Sequence, residues 1–136
     1  MINSRLITDL TPEAQALCQA HLAALWVVGV WAMLTSTYRD QESQDWIYAS
    51  GRTRPGPILT KVKHSTHQDR IAWDIAIVDG KTPIWNVKVD VDQDGTPDYV
   101  EALKIGRSLN LVCGGDYSGW KDWCHYNLKS LERPNE

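Results

Sequence analysis

Apolar and polar positions alternate most cleanly over residues 71–78, where Ile71, Trp73, Ile75 and Ile77 fall on one face and Ala72, Asp74, Ala76 and Val78 on the other. A period of two in β-branched and aromatic residues predicts a strand, and Asp79-Gly80 turns it towards a partner strand over residues 84–89. Thr11-Pro12-Glu13 joins an N-cap residue to a proline at the first helical position, so the Ala- and Leu-rich stretch behind it is expected to be helical to about Leu25. Residues 26–37, rich in Val, Trp and Thr, read as a buried strand. Asp40 caps a second helix that Gly51 ends, and Pro55-Gly56-Pro57 enforces a loop. A third helix is expected from near Pro97 to around Ser108, followed by a turn at Gly114-Gly115 and a short last strand over residues 125–128. With no repeat, low-complexity tract or linker, these elements predict one α+β domain over residues 1–136, a small antiparallel sheet packed with about three helices.

Composition narrows the class. The 136 residues are 43% hydrophobic and 23% charged, which excludes a disordered, fibrous or membrane-embedded chain. The most apolar run, residues 22–34, is shorter than the roughly twenty residues a spanning helix needs and lacks the flanks of a signal peptide. No stable membrane insertion and synthesis in the cytoplasm are therefore expected. Three cysteines, Cys18, Cys113 and Cys124, fit neither a disulfide framework nor a structural zinc spacing. The net charge of −3 conceals an acidic segment, since Asp90, Asp92, Asp94, Asp98 and Glu101 crowd into twelve residues. No basic footprint for nucleic acid emerges. Locally, Arg52, Arg54, Lys61 and Lys63 lie in an acid-free stretch, which suits either a solvated loop or a surface for an anionic substrate.

Two constellations carry chemistry. Asp74 stands in an apolar strand, where an ionised carboxylate needs a cation or hydrogen-bond donors. His67 precedes it by an odd interval that an unbroken strand would stretch to about 23 Å, so a shared metal requires a turn near residues 68–70. With His125 the set would be two imidazoles and one carboxylate, the pattern of a catalytic zinc with an open position, and satisfied structural histidines are the other reading. The second constellation is Asp90, Asp92, Asp94, Gly95, Thr96, Asp98 and Glu101, which occupy positions 1, 3, 5, 6, 7, 9 and 12 of an EF-hand-type calcium loop. Pro97 at position 8 and a strand ahead of the loop are atypical; the loop is read as an insertion between strand and helix.

Several motifs in order resemble a known family. Ser65-Thr66-His67 with Asp74 is similar to the S-x-H-x(6)-D signature of zinc peptidases that include the VanY-like D-alanyl-D-alanine carboxypeptidases and the L-alanyl-D-glutamate endopeptidases of phage endolysins. Thr37-Tyr38-Arg39-Asp40, Gln44, and Ile47 through Thr53 with Pro55-Gly56 resemble the upstream run of the endolysin branch, and Gly114-Gly115-Asp116-Tyr117 and Asp122 through Leu128 resemble its ending. Where the family has Phe-Glu after the last histidine, this chain has Tyr126-Asn127, and Gln68-Asp69-Arg70 replaces the usual Asn-x-Gly. The resemblance implies Zn²⁺ on His67, Asp74 and His125, Asp122 as general base and acid, Arg39 on the oxyanion or a substrate carboxylate, and Ser65 on substrate. Cys124, beside His125, is read as packing because neighbouring strand residues face opposite ways. The implied activity is cleavage of the L-Ala–D-Glu bond of peptidoglycan stem peptides by a monomer, stored in the host cytoplasm and reaching the wall in the periplasm once the membrane is permeabilised, with calcium in a regulatory or structural role. A D,D-carboxypeptidase, or a non-catalytic calcium- and cell-wall-binding module, would share the same scaffold.

Overall fold

The structure is a computed structural model that describes residues 1–129; residues 130–136 of the expected domain lie outside the described residues. Helix α1 (Pro12–Val27) begins as its sequence dictates, with Thr11 Oγ1 accepting from Ala14 N–H and Pro12 in the first turn. It continues past Leu25 because its stop signal is Gly29, at φ +86°, where Val30 N–H closes back on Leu25 O at 2.9 Å. Strand β1 is consequently only Ala32–Ser36, shorter than the apolar composition of residues 26–37 suggested. Helix α2 (Gln41–Ala49) is capped by Asp40, whose carboxylate accepts from Ser43 N–H.

Strand β2 (Ala72–Asp79) is the centre of the sheet. One edge pairs with β1, Leu34 opposite Ile75 and Ser36 opposite Asp74; the other edge carries β3 (Thr82–Ile84) at its end and β5 (His125–Asn127) at its beginning, all antiparallel. Strand β3 ends at Ile84 rather than running through Val89, because Ile84 O is taken by the Tyr99 hydroxyl and the chain bends through Asn86 into the acidic loop. Helix α3 (Asp98–Ser108) follows, and a two-residue β4 (Val112–Cys113) pairs with β5 outside the reach of any sequence pattern. The α+β class, with three α-helices and a small antiparallel sheet, is as expected.

The core fills the space between α1, α3 and the sheet, with Leu25, Trp73, Ile75, Tyr99, Leu103 and Tyr126 buried. His21 stands among them, fully buried, with Nε2 3.2 Å from Ala102 O and Nδ1 accepting from Trp73 Nε1–H at 3.3 Å. One imidazole thus ties α1 to α3 and to β2. The described cysteines are free, and burial pushes Cys18 and Cys124 up to about 12 and Cys113 up to about 11, so none is poised as a thiolate. Among the described residues no helix is long and apolar enough to cross a membrane.

Candidate metal centre and catalytic cleft

Three segments converge on one point. Asp74 of β2 lies directly opposite His125 of β5 in the ladder, so both side chains emerge on the same face. His67 arrives from a tight turn over residues 65–70, built by Gln68 N–H to Ser65 O, Asp69 N–H to Thr66 O and Arg70 N–H to His67 O, with Arg70 at φ +62°. That is the bend the spacing of His67 and Asp74 required. Asp74 Oδ1 lies 3.3 Å from His67 Nε2 and 3.2 Å from His125 Nδ1, and the candidate ligand atoms of all three fall within 4.8 Å of one another.

The outer nitrogen of each imidazole is already committed. His67 Nδ1 lies 2.8 Å from Thr37 O, a carbonyl that can only accept, so that nitrogen carries the proton and Nε2 turns its lone pair inward. His125 Nε2 lies 2.8 Å from Asn127 Oδ1, and the orientation of that amide follows from Nδ2 donating to Leu128 O at 2.7 Å. Nδ1 of His125 therefore also points a lone pair inward. Two lone pairs and a carboxylate facing one another are satisfied by a cation, and two imidazole nitrogens with one carboxylate oxygen suit zinc. Burial pushes the Asp74 carboxyl up, and positive charge or protons on the two inward-facing imidazole nitrogens would hold it well below the usual carboxylate range; in these tautomers a cation takes that place.

Asp122 reaches the same place from the approach to β5. Its N–H donates to Gly114 O at 2.9 Å and its carbonyl accepts from His125 N–H at 3.2 Å. Burial first, and then the neighbouring Asp74 charge, raise its pKa above the ordinary value. Gly114 is obligatory, since a Cβ there would stand 2.1 Å from Asp122 O. Asp122 also lines a cleft of about 260 Å³ whose other walls include Lys61, Tyr117 and Trp120. Arg39 is buried beside this centre, donating to Gln44 Oε1 at 2.8 Å, while its own N–H reaches His67 O. Asp40 and Glu42, the partners a helix-entry ion pair would give it, lie against the N-terminal ammonium. Ser65, 3% exposed, accepts from His67 N–H at 3.2 Å and so shapes the turn that presents the imidazole.

Two participants carried no assigned role in the sequence reading. Asn127 stands where the resembling family has Glu and still supplies the oxygen that orients His125. Gln44, fully buried, bridges Arg39 and Val62 O. The basic stretch resolves mostly into structure: Arg52 donates to Tyr48 O and Thr60 O, Arg54 donates to Trp46 O, and the Lys63 ammonium lies 5.8 Å from the centre of the Tyr48 ring, while Lys61 lines the cleft. His64 pairs with Asp69 away from the centre.

The acidic loop lies beside the far end of β2. Asp90, Asp92 and Asp94 form one close group of carboxylates, Asp92, Asp98 and Glu101 a second, and Thr96 N–H donates to Asp94 between them. Burial, reinforced by neighbouring carboxylates, pushes Glu101 up to about 8 and Asp92 up to about 6.

The chain is 32% identical over 125 residues to the peptidoglycan L-alanyl-D-glutamate endopeptidase CwlK of Bacillus subtilis (strain 168), a match that covers 89% of this chain and 74% of that protein. Among solved structures it is similar in fold to the L-Ala D-Glu endopeptidase ChiX of Serratia marcescens, with a TM-score of 0.65 over 90% of this chain and 83% of that one, at 16% identity. No protein-family model matches the chain.

Proposed function

Because the chain belongs to the family of peptidoglycan L-alanyl-D-glutamate endopeptidases, we propose that it is a zinc-dependent endopeptidase cutting the L-Ala–D-Glu bond of peptidoglycan stem peptides. The observation that carries this reading is the convergence of His67, Asp74 and His125 with both outer imidazole nitrogens already hydrogen-bonded, and with Asp122 at the edge of a cleft. His67 Nε2, His125 Nδ1 and an Asp74 oxygen would hold the metal. When bound, zinc supplies Lewis acidity that brings a water to a pKa of about 7 and polarises a carbonyl.

The protein's own part is proton traffic and positioning. Asp122 takes the proton of the attacking water as its oxygen bonds to the L-Ala carbonyl carbon, and returns that proton to the D-Glu nitrogen as the C–N bond breaks. Arg39, buried and fixed by Gln44, contributes a guanidinium that stabilises the developing oxyanion or a substrate carboxylate. Ser65 is placed on substrate by the resemblance, and its Oγ, by accepting from His67 N–H, also steadies the ligand turn. Lys61 offers the cleft a positive charge for a substrate rich in carboxylates.

The proposal extends to a phage-type endolysin within the VanY-like zinc peptidases, a monomeric single domain that acts on the cell wall to lyse the host and is controlled by calcium at residues 90–101; motif order across residues 37–128 supports it. Digestion of purified peptidoglycan followed by mass spectrometry tests the activity. New N-terminal D-Glu without reducing sugars is expected. Release of terminal D-Ala alone would make the enzyme a carboxypeptidase, and no product from zinc-loaded protein would leave a binding module.

A further inference from the structure

We propose that residues 90–101 form a calcium site that locks the first turn of α3 onto β2 and so regulates the strand that presents Asp74; the regulatory part rests on the peptidase reading of that centre. The acidic sequence alone is a weak argument, because carboxylates crowd together on many surfaces. What distinguishes this loop is how its oxygens are used. Asp98 is 1% exposed, and its Oδ2 accepts from Val91 N–H at 3.0 Å, while its Oδ1 is buried with no hydrogen-bond partner. Asp90 repeats the arrangement, Oδ2 accepting from Gly95 N–H at 2.9 Å and Oδ1 buried without a partner. Asp92 Oδ1 and Glu101 Oε1 are likewise buried and unpartnered.

Asp92 belongs to both close groups of carboxylates, so the five acids share one locus. Among the described residues none of the five pairs with a lysine or arginine. Backbone amides thus hold one oxygen of Asp90 and of Asp98 and leave the other aimed inward. Orphaned buried acceptors are costly, and a hard cation is the partner that several converging oxygens share. Five carboxylates, Glu101 at the twelfth position among them, together with the Thr96 carbonyl at its loop position can supply more than six oxygens, which favours Ca²⁺ over the smaller, strictly octahedral Mg²⁺.

The route to the peptidase centre runs through Tyr99, which lies between the ligands Asp98 and Glu101 in the first turn of α3. Its buried hydroxyl accepts from Ile77 N–H of β2 at 3.2 Å and donates to Ile84 O of β3 at 2.5 Å. Asp92 and Asp98 also flank Val78, Asp79 and Gly80 at the end of β2, about 13 Å along the strand from Asp74. Three residues beyond Tyr99, Ala102 O faces His21, which accepts from Trp73, the neighbour of Asp74. Fixing Asp98 and Glu101 around an ion therefore fixes one direct contact of α3 on the strand that presents a zinc ligand, through Tyr99, and one relayed by His21 of α1.

The test is a titration of zinc-loaded protein with Ca²⁺ alone by calorimetry, paired with amide hydrogen exchange over residues 72–79. One calcium per chain is expected, with Kd between roughly 10⁻⁶ and 10⁻³ M. Asp92→Asn and Glu101→Gln should each weaken binding by at least about ten-fold, and calcium should slow exchange in β2 of the parent by about ten-fold. Tyr99→Phe should keep calcium binding and lose most of that slowing. Absence of a calcium isotherm in the parent overturns the site; binding without slower exchange in β2 overturns the regulation. Neither readout uses turnover, so failure to cut peptidoglycan with or without calcium would refute the peptidase reading separately.

Discussion

Acid should unfold this protein through His21. The residue is fully buried, and its hydrogen bonds define its protonation: the Trp73 indole can only donate, so Nδ1 is an acceptor, and the proton resides on Nε2 facing Ala102 O. A second proton would have to enter on Nδ1, against the indole N–H. Burial lowers the pKa from the ordinary 6.5 to about 4. Above about pH 6.5 the imidazole is neutral in folded and unfolded chains alike and contributes no pH dependence. Between about 6.5 and 4 the unfolded chain takes up a proton that the folded chain refuses, so stability falls as pH falls, by ~3 kcal/mol in all, and no further below that window. Against a total of roughly 5–15 kcal/mol this is a large fraction.

Urea unfolding followed by tryptophan fluorescence, at about pH 7, 6, 5 and 4.5, measures the effect in the parent and in His21→Gln. The glutamine amide can accept from Trp73 and donate to Ala102 O but does not titrate, so the other histidines and carboxylates cancel in the comparison. Between about pH 7 and 4.5 the difference in unfolding free energy between the two proteins should change by ~2.5 kcal/mol, most of the full effect. Parallel pH profiles would refute the assignment of a neutral, proton-refusing His21.

Three further outcomes follow from the centre. Replacing His67, Asp74 or His125 with Ala should release zinc and abolish turnover together, whereas Asp122→Ala should keep the metal and lose a factor of about 10²–10⁴ in kcat; zinc lost from Asp122→Ala would make that residue a ligand. Asn127→Leu removes the acceptor of His125 Nε2–H and should weaken zinc about 10–100-fold by competition with a chelator, with an unchanged affinity contradicting the orienting role. Gly114→Ala sets a Cβ against Asp122 O and should cost about 1–3 kcal/mol in unfolding free energy while lowering turnover, and a protein of parental Tm and activity would show that the contact relaxes freely.

Much of this was legible in local sequence. The cap at Thr11, the cap at Asp40 and the alternation of β2 each place an element within a residue or two, because the signals act over a few neighbours. The turn between His67 and Asp74 followed from distance alone. What escaped was long-range. His21 sits on an apolar helix with nothing in its own neighbourhood to mark it, and its partners lie 52 and 81 residues away. The early end of β3 is likewise set by Tyr99 taking Ile84 O, and the late end of α1 by Gly29 where composition favoured a strand. Asn127 looked like a loss against the family pattern, yet an amide oxygen accepts a histidine N–H as well as a carboxylate oxygen does in position, though with less charge.

That substitution bears on how the centre and the fold depend on each other. His67 is oriented by a carbonyl ahead of α2, His125 by a residue of its own strand, and Asp74 by the register of β2 against β5. No single segment brings two inward lone pairs to a carboxylate; the assembled sheet does, and it bears their mutual repulsion. The acidic loop places the same kind of demand on the other end of β2, where carboxylate oxygens are buried without donors. Apolar packing around Trp73 and the neutral His21 holds the strand between them. A cation that binds only the folded chain adds RT ln(1 + [L]/Kd), or about 4 kcal/mol at a thousand times its Kd. Under the two proposed metal assignments, electron-rich clusters at either end of one central strand would make metal occupancy a direct contributor to the stability of the sheet, and a glutamate at position 127 would add one more negative charge for the first of those cations to offset.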